Sequence, residues 1–251
     1  MEDLRYIYSV ARVRVLETHL LKKAIFFNIL DAATLDMALK IIAEIGSYSL
    51  DILNIKDTQA LEVFINTETQ KLERLAAELF VDHSLFEAYL HLKKNLGESY
   101  ALIMQTNSEL LKDFIRKFID LYNVKTFLRI RYRKESPENL KTKLLEGGYI
   151  TKGELPRLFG KTPDGFYRQI IQDGIRQIEK DGNFSVLERD IDDYFTHLMQ
   201  PAKYMSFGPE AVFGYCLAKE NELKRLRLLL LAKINNIVRP LVQERLTLSY
   251  A

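Results

Sequence analysis

The chain has 251 residues, of which 47% are hydrophobic, and its formal net charge is +2. That length and apolar content are sufficient for a substantial core in one large domain or two small ones. Because basic and acidic residues nearly cancel, the composition argues against a general nucleic-acid binder. Cys216 is the only cysteine, so these residues cannot form an internal disulfide, and a buried thiol is expected.

The termini and apolar runs predict where the protein acts. The N-terminus is charged and lacks a continuous apolar core, so no secretory signal peptide is expected. The longest apolar runs are far shorter than the roughly 20 residues that a membrane-spanning helix needs. We therefore expect a cytoplasmic protein without a direct membrane span, which reaches a membrane only peripherally.

Helical periodicity and helix-end signals predict an all-α fold. The predicted helical segments are residues 3–30, 31–44, 57–80, 82–95, 99–133, 137–146, a short helix from about 162, 185–199 and 207–233. The first segment has a possible break near Lys22. Asp31 and Asp57 are the predicted N-caps of the second and third segments, and Gly97 is expected to close the fourth. Thr151 and Glu154 have the spacing of a capping box.

The longest predicted helix lies near the C-terminus. It begins near Pro209, which suits a first helical position because its missing N–H would have no intrahelical partner there. Its second half, which includes the run Leu228–Leu231, is apolar nearly all round. An ordinary surface helix has one apolar stripe, so we expect this helix to be packed on several sides.

A pattern of charge and apolar residues recurs three times. Each copy has an acidic residue, apolar residues four and seven positions later, and a basic residue eleven positions later, all on one helical face. The copies run from Asp3 to Arg14, from Asp120 to Arg131 and from Glu222 to Lys233. This self-similarity suggests related helical units. The alternative is chance, because acidic, leucine and basic residues are all common in helices.

The spacing of this pattern has a physical consequence. The acid and the base of one copy lie about 16 Å apart along the helix axis, so they cannot pair with each other. If the face is buried, each charge needs a partner on another helix. Three related helices could then satisfy their end charges mutually. The alternative is that these charges are solvated at the rim of the fold.

Catalytic signals are scarce in the sequence. Phosphate-cradling and dinucleotide-binding glycine motifs are missing, and no histidine lies near Cys216 in the sequence. Asp190, Asp193 and His197 share a helical face and could bind a divalent metal, as in a metal-dependent hydrolase. The ordinary interpretation of these three residues is a solvated polar face. We therefore predict no catalytic residues, no bound metal and no cofactor.

Three segments resemble the C subunit of archaeal and bacterial A/V-type ATPases, whose eukaryotic vacuolar equivalent is the d subunit. The first is residues 6–21, with Tyr6, Tyr8, Ala11-Arg12-Val13-Arg14 and Leu20-Leu21. The second is residues 119–129, with Ile119-Asp120-Leu121 and Asn123-Val124-Lys125-Thr126. The third is residues 208–227, with Gly208-Pro209-Glu210, Leu217-Ala218-Lys219-Glu220 and Arg225-Leu226-Arg227. The third segment is the most specific. Two features depart from the family pattern: Arg225 stands where asparagine is usual, and the chain is shortened between the second and third segments.

The resemblance implies a non-catalytic adaptor in the central stalk of a rotary ATPase. Such an adaptor is a funnel-like array of helical units around a pseudo-threefold axis. It receives the D and F subunits of the shaft on one face and sits on the membrane rotor ring with the other. On this basis we expect units at residues 1–108, 109–205 and 206–251 within one compact structural domain. A helical scaffold of a different complex is the remaining alternative.

The resemblance and the recurring pattern together suggest roles for ten charged residues. Those predicted to hold the helical units together are Asp3, Arg14, Asp120, Arg131, Glu222 and Lys233. Those predicted to face a protein partner, because they lie off the apolar stripe, are Arg12, Lys125, Arg129 and Arg227.

Overall fold

The computed structural model describes residues 3–151, 153–154 and 166–250. Every regular element in those ranges is helical, which confirms the predicted all-α fold. The α-helices are α1 (Ile7–Glu17), α2 (Lys23–Asp31), α3 (Leu35–Ile45), α4 (Thr58–Leu79), α5 (His83–Lys94), α6 (Leu96–Met104), α7 (Glu109–Tyr132), α8 (Pro137–Lys143), α9 (Phe166–Asp181), α10 (Ser185–Met199), α11 (Glu210–Ile234) and α12 (Arg239–Arg245). Short 3-10 helices cover Leu4–Tyr6, Leu50–Asn54 and Gln200–Tyr204.

The contacts within the chain group its residues into two units. Unit 1 consists of Met1–Val81 and Gln200–Ala251, and unit 2 consists of Asp82–Met199. Unit 1 therefore contains α1–α4 with α11 and α12, and unit 2 contains α5–α10. The division into three pseudo-repeated units at residues 1–108, 109–205 and 206–251, and the funnel around a pseudo-threefold axis, stay predictions.

Two helix-end predictions in unit 1 are confirmed and one is wrong. The break in the first helical segment lies between α1 and α2, close to Lys22. Asp57 caps α4, since its carboxylate accepts a hydrogen bond from the backbone N–H of Ala60 at 2.8 Å. The prediction for Asp31 was wrong, because that residue ends α2. Thr34, whose backbone is extended, caps α3 by accepting a hydrogen bond from the N–H of Met37.

The helical stretch predicted for residues 99–133 is interrupted. It comprises the end of α6 and the whole of α7, which Ser108 caps by accepting a hydrogen bond from Leu111. Gly97 does not close a helix but lies in the first turn of α6. Asn95 both ends α5 and caps α6, because its short side chain accepts the N–H of Glu98. The helix predicted from about residue 162 begins outside the described residues.

Helix α11 forms the centre of unit 1. It packs against α1, α2, α3, α4 and α12, as expected for a helix with apolar residues on several faces. Every residue of its first turns, from Ala211 to Cys216, is buried. The sequence predicted burial on all sides only for the second half of this helix, so the buried part extends further toward the N-terminus than predicted. Burial raises the pKa of the Cys216 thiol, with a further contribution from the charge of Glu220.

The hydrophobic core of unit 1 joins the second half of α11 to α2, α3 and α4. Its fully buried members include Ile29, Leu39, Ile42, Leu61, Leu226, Leu229 and Leu230. Burying each such side chain contributes about 1.5–3 kcal/mol of hydrophobic stabilisation. This core fixes the position of α2 beside α11. The two ends of α2 are thereby placed next to charged residues of α11.

Unit 2 is built around α7. Phe114 and Phe118 on α7 pack against Phe195 of α10, with ring centroids 5.2 Å and 4.9 Å from the Phe195 ring. Helix α9 approaches α10 closely at Gly174, where an added Cβ would lie 2.6 Å from the Cα of Leu187. A side chain at this position would meet backbone, which cannot rotate out of the way as a flexible side chain can.

The glycine at this helix crossing yields a stability prediction. We expect Gly174→Ala to lower the free energy of unfolding by about 1–3 kcal/mol, because α9 and α10 must separate to admit the methyl group. The matched control is Gly97→Ala in α6, where the nearest atom to the added Cβ is 3.7 Å away. That substitution should stabilise the protein by about 0.5–1 kcal/mol through helix propensity. Urea denaturation followed by circular dichroism measures both, and equal effects would contradict the prediction.

Candidate functional site: charged residues at helix ends

Glu222 is the most completely buried carboxylate of the recurring pattern in unit 1. Only 1% of the residue is exposed. Its carboxylate accepts hydrogen bonds from the Tyr48 hydroxyl at 2.6 Å, from Lys219 Nζ at 2.6 Å and from the backbone N–H of Leu21 at 2.5 Å. A carboxylate in such a place would be very unfavourable alone, and the Lys219 charge together with two further donors compensates its burial.

Tyr48 and Lys219 complete a compact network around this carboxylate. The Lys219 ammonium donates to the Tyr48 hydroxyl at 3.1 Å and lies 4.2 Å from the centroid of the Tyr48 ring. Burial, followed by the negative charge of Glu222, raises the pKa of Tyr48 well above its ordinary value. The phenol therefore remains a hydrogen-bond donor to Glu222 across the physiological pH range.

Lys233 lies at the other end of the pattern on α11. Its ammonium donates to the backbone carbonyl of Leu30 at 2.8 Å and also to that of Ala32. Both carbonyls are at the C-terminal end of α2, where the last carbonyls of a helix have no intrahelical partner. Burial lowers the pKa of Lys233, and the nearby charge of Asp31 acts in the opposite direction.

Glu222 and Lys233 therefore bind the two ends of one neighbouring helix. They are separated by eleven residues on α11, which is about 16 Å of helix. Leu21 and Ala32, their partners at the two ends of α2, are also eleven residues apart. The acid meets the N-terminal end and the base meets the C-terminal end, which is the arrangement that the helix dipole favours. We call this arrangement the α2 clamp.

Asp120 has a comparable position in unit 2. The residue is fully buried on α7, and its carboxylate accepts the backbone N–H groups of Tyr149 at 3.0 Å and Ile150 at 2.9 Å. Immediately afterwards one of the two bonds of the predicted capping box is present, since the Glu154 carboxylate accepts the backbone N–H of Thr151 at 2.7 Å. The Thr151 hydroxyl donates to the same carboxylate at 2.8 Å. A buried acid thus again meets backbone N–H groups, here in a bend just before Thr151.

The segment bound by Asp120 is held at a second point, one turn along α7. The side-chain amide of Asn123 donates to the carbonyl of Leu145 and accepts its N–H, both at 2.9 Å. Gly148 lies between these two attachments. An added Cβ there would come within 2.0 Å of an Asp120 oxygen, so the close approach of this segment to α7 requires glycine.

In the N-terminal copy of the pattern, the acidic residue pairs locally and the basic residue binds a distant segment. Asp3 caps the 3-10 helix Leu4–Tyr6 and pairs with Arg5 at 2.7 Å, and the Arg5 side chain lowers the pKa of Asp3. Arg14 donates to the carbonyls of Ala202 at 2.8 Å and Met205 at 2.7 Å. Arg14 therefore binds the C-terminal end of the 3-10 helix Gln200–Tyr204, as Lys233 binds that of α2.

The charged residues of the recurring pattern bind backbone groups at several places. The sequence had suggested that their partners would be opposite charges on other helical units. Arg14 and Lys233 bind carbonyls, and Asp120 binds N–H groups, while Arg131 lies in the last turn of α7. A helix end supplies unpaired N–H or C=O groups with partial charge, so it satisfies a buried ion as an opposite charge would. That the six charged residues hold helical units together by mutual pairing stays a prediction.

The four residues predicted to face a partner are all at least partly exposed and form ion pairs at the surface. The pairs are Arg12–Glu78 at 2.9 Å, Lys125–Glu188 at 3.9 Å, Arg129–Glu188 at 2.8 Å and Arg227–Glu62 at 2.8 Å. Arg129 also lies over the ring of Phe184. Each of these cations is thus near the surface in its own unit, and its contact with a partner stays a prediction.

The alternative metal site would lie on α10, at Asp190, Asp193 and His197. The carboxylate of Asp190 binds the Arg189 guanidinium at 2.7 Å, and burial raises its pKa against the effect of that arginine. Within residues 3–151, 153–154 and 166–250, no group of three or more histidine, cysteine, aspartate or glutamate side chains could hold a metal ion. In the same ranges no helix is both long and apolar enough to cross a bilayer.

Three residues of these networks were missed by sequence reasoning. Lys219 precedes Glu222 by three positions on one helix, a spacing that could have suggested the ion pair. Tyr48 is separated from Glu222 by 174 positions, and no local signal connects them. Asn123 is in a helix interior, where a buried asparagine is unusual enough to have suggested a backbone partner.

The fold and these networks define an all-helical protein whose buried charges bind the ends of neighbouring helical segments. The family model described as "ATP synthase (C/AC39) subunit" matches residues 51–245, and the chain belongs to that family. The resemblance identified from the three sequence segments is thereby confirmed.

Individual relatives agree with this family assignment. The chain is 28% identical over 200 residues to the C subunit of the A-type ATP synthase of Desulfurococcus sp., an alignment that covers 74% of this chain and 54% of that protein. It is 27% identical over 223 residues to the C subunit of the V-type sodium ATPase of Enterococcus hirae, which covers 82% of this chain and 65% of that protein. The chain thus spans between half and two thirds of the length of these relatives.

Proposed function

We propose that this protein is a non-catalytic adaptor in the central stalk of an A/V-type ATPase or ATP synthase. It couples the D and F subunits of the shaft to the membrane rotor ring. In this role it transmits torque between ATP hydrolysis or synthesis and the transport of protons or sodium ions, from the cytoplasmic side of the membrane. The observation that carries the proposal is the family match over residues 51–245, together with the C-subunit relatives from both A-type and V-type enzymes.

The internal construction of unit 1 suits a part that transmits torque. Torque is lost if helices slide past one another, so a coupling element needs closely packed and firmly attached helices. Helix α11 is enclosed by five neighbouring helices, and α2 is attached to it at both ends by Glu222 and Lys233. The α2 clamp therefore opposes sliding of α2 along α11, in addition to the hydrophobic core between them.

Each of the exposed ion pairs suits a surface of its own unit that binds a partner. Arg129 with Glu188 and Arg227 with Glu62 are pairs whose side chains are about one third to one half exposed. Surface pairs of this kind contribute only about 0–1 kcal/mol to stability. An acidic group of a partner could therefore replace the internal glutamate at little cost, and the arginine would then contribute to the rate and specificity of association.

Charge reversal of both arginines tests their assignment as partner contacts. We expect Arg129→Glu combined with Arg227→Glu to weaken binding to an immobilised D–F shaft complex by about tenfold or more, because each change replaces attraction with repulsion. The matched control is Arg74→Glu combined with Lys180→Glu, which makes the same charge change at one exposed position in each unit. Pull-down with quantified bound fractions gives the affinities, and circular dichroism monitors folding.

The outcomes separate two levels of the proposal. Unchanged shaft binding by the double variant would reject Arg129 and Arg227 as contact residues and leave the adaptor role intact. Equal weakening by the control pair would show a general effect of net charge. Failure of the unaltered protein to bind either the D–F shaft or the rotor ring would reject the adaptor role itself.

A further inference from the structure

A small cavity in unit 1 has a lining that the adaptor role does not explain. Its volume is about 160 Å³, and it is lined by Lys23, Phe26 and Phe27 of α2, by Arg225 of α11 and by residues between 243 and 249. The C-terminal segment is attached there, since the Ser249 hydroxyl donates to the carbonyl of Leu21 at 3.0 Å. All of these residues belong to unit 1.

All charged side chains that line the cavity, among the described residues, are positive. The lining contains two cations, Lys23 and Arg225, and among the described residues that line it there is no carboxylate. Arg225 is only 3% exposed, and its guanidinium carbon lies 4.6 Å from the centroid of the Phe26 ring. Its Nε donates to the carbonyl of Asn221 at 3.0 Å, which fixes the orientation of the guanidinium plane. A planar guanidinium held in this way suits recognition of a phosphate or carboxylate group.

The remaining lining strengthens an interaction with an anion. Phe26, Phe27, Leu246 and Leu248 provide apolar walls, and the low polarizability of such walls increases the attraction between opposite charges. Gln243, Thr247 and Ser249 contribute polar groups to the same lining. Cations among apolar walls with a few polar groups are the composition expected of a site for a small charged ligand.

The volume limits the size of the ligand. The 160 Å³ volume is well above what a single water needs, so the cavity has room for one phosphate group. Nucleotides and similar ligands occupy pockets of about 300–1,000 Å³, which is well above the 160 Å³ observed here. Two cations in the lining favour a dianion over a monoanion of the same size.

We propose that this cavity is a binding site for a phosphate dianion, with Arg225 and Lys23 as its charged contacts. The site lies between α2, α11 and the C-terminal segment, so a bound phosphate would bridge the three. The proposal is independent of the adaptor role, because it concerns the isolated chain.

Calorimetric titration of the full chain with inorganic phosphate tests the site, with potassium chloride at equal ionic strength as the reference. We expect saturable binding of one phosphate per chain. Because phosphate also stabilises proteins without occupying a site, the diagnostic change is a smaller rise of the thermal midpoint in phosphate for Lys23→Gln than for the unaltered chain. Acetate, a monoanion, should bind at least about tenfold more weakly. Vesicles of phosphatidic acid present the same phosphate group on a lipid. We expect that any binding of the protein to these vesicles is unchanged when Lys23 is replaced.

Two adjacent lysines provide a matched pair of variants. Lys23 lines the cavity and Lys22 does not, although both are exposed. Lys23→Gln should weaken phosphate binding by about tenfold, whereas Lys22→Gln, with the same change in net charge, should alter it by less than about twofold. Arg225→Gln should abolish binding, with circular dichroism as the check on folding. If that variant does not fold, the lysine pair still decides the question.

Several results would overturn the proposal. One is the absence of phosphate binding beyond the effect of ionic strength. Another is an equal loss in the Lys22 and Lys23 variants, which would indicate nonspecific screening. Stronger binding of acetate would reject the preference for a dianion, and Lys23-dependent binding only to phosphatidic acid vesicles would reject free phosphate as the ligand.

Discussion

Replacing Glu222 by alanine is expected to lower the free energy of unfolding of unit 1 by about 3–5 kcal/mol. The change removes the carboxylate that now accepts from three donors: the Tyr48 hydroxyl, the Lys219 ammonium and the Leu21 N–H. It also removes the acidic end of the α2 clamp, so the first turn of α2 should loosen. Urea denaturation at neutral pH measures the loss, and amide hydrogen exchange of residues 21–26 locates it.

Two further variants separate the loss of charge from the loss of contacts. Glu222→Gln keeps the shape but replaces one acceptor oxygen with an NH₂ group, so an intermediate loss of about 2 kcal/mol is expected. Glu44→Ala, at an exposed position of α3 in the same unit, should change stability by no more than about 0.5 kcal/mol. A loss below about 1 kcal/mol for Glu222→Ala would contradict a stabilising role for the network.

The corresponding change in unit 2 is Asp120→Asn. We expect it to lower the free energy of unfolding by about 2–3 kcal/mol, because an amide can accept only one of the two N–H groups that the carboxylate now accepts. The NH₂ group would also face a backbone N–H in a fully buried position. Amide exchange should accelerate most at Tyr149 and Ile150, which hydrogen exchange with NMR detection resolves by residue.

A matched carboxylate in the same unit serves as the control for Asp120. Asp173→Asn, on α9, changes a side chain that is 73% exposed and that forms a 3.5 Å surface contact with Arg176. Its effect should be about 0.5 kcal/mol or less. If Asp120→Asn leaves the exchange of Tyr149 and Ile150 unaltered, the segment that contains them is held by other contacts.

These two substitutions also bear on the proposed mechanical role. If α2 must stay in register with α11 to transmit torque, Glu222→Ala should impair coupling in an assembled complex even at temperatures where the variant remains folded. The same reasoning applies to the attachment of residues 145–150 to α7 through Asn123 and Asp120. The reason is common to both: a buried carboxylate bonded to backbone N–H groups resists sliding more strongly than apolar contacts, which are not directional.

Much of the fold could be predicted from the sequence because helix signals are local. The N-cap at Asp57, the break near Lys22 and the helix at residues 185–199 all depend on side chains within a few positions of each other. The same is true of the bond from the Thr151 N–H to the Glu154 carboxylate, which is one half of the predicted capping box. The errors arose where two local signals competed, as at Asp31 and Thr34, because both residue types can cap a helix.

Local patterns in the sequence were sufficient for the helical class, most helix ends, the family and the eleven-residue spacing of acid and base in α11. What those charges bind depended on tertiary packing. Leu21 and Tyr48 are 201 and 174 positions from Glu222, and packing alone brings them together. A buried charge can be satisfied by an opposite charge or by the end of a helix, and the sequence pattern is the same for both. The core between α2 and α11 aligned the two helices, so the ends of α2 became the partners.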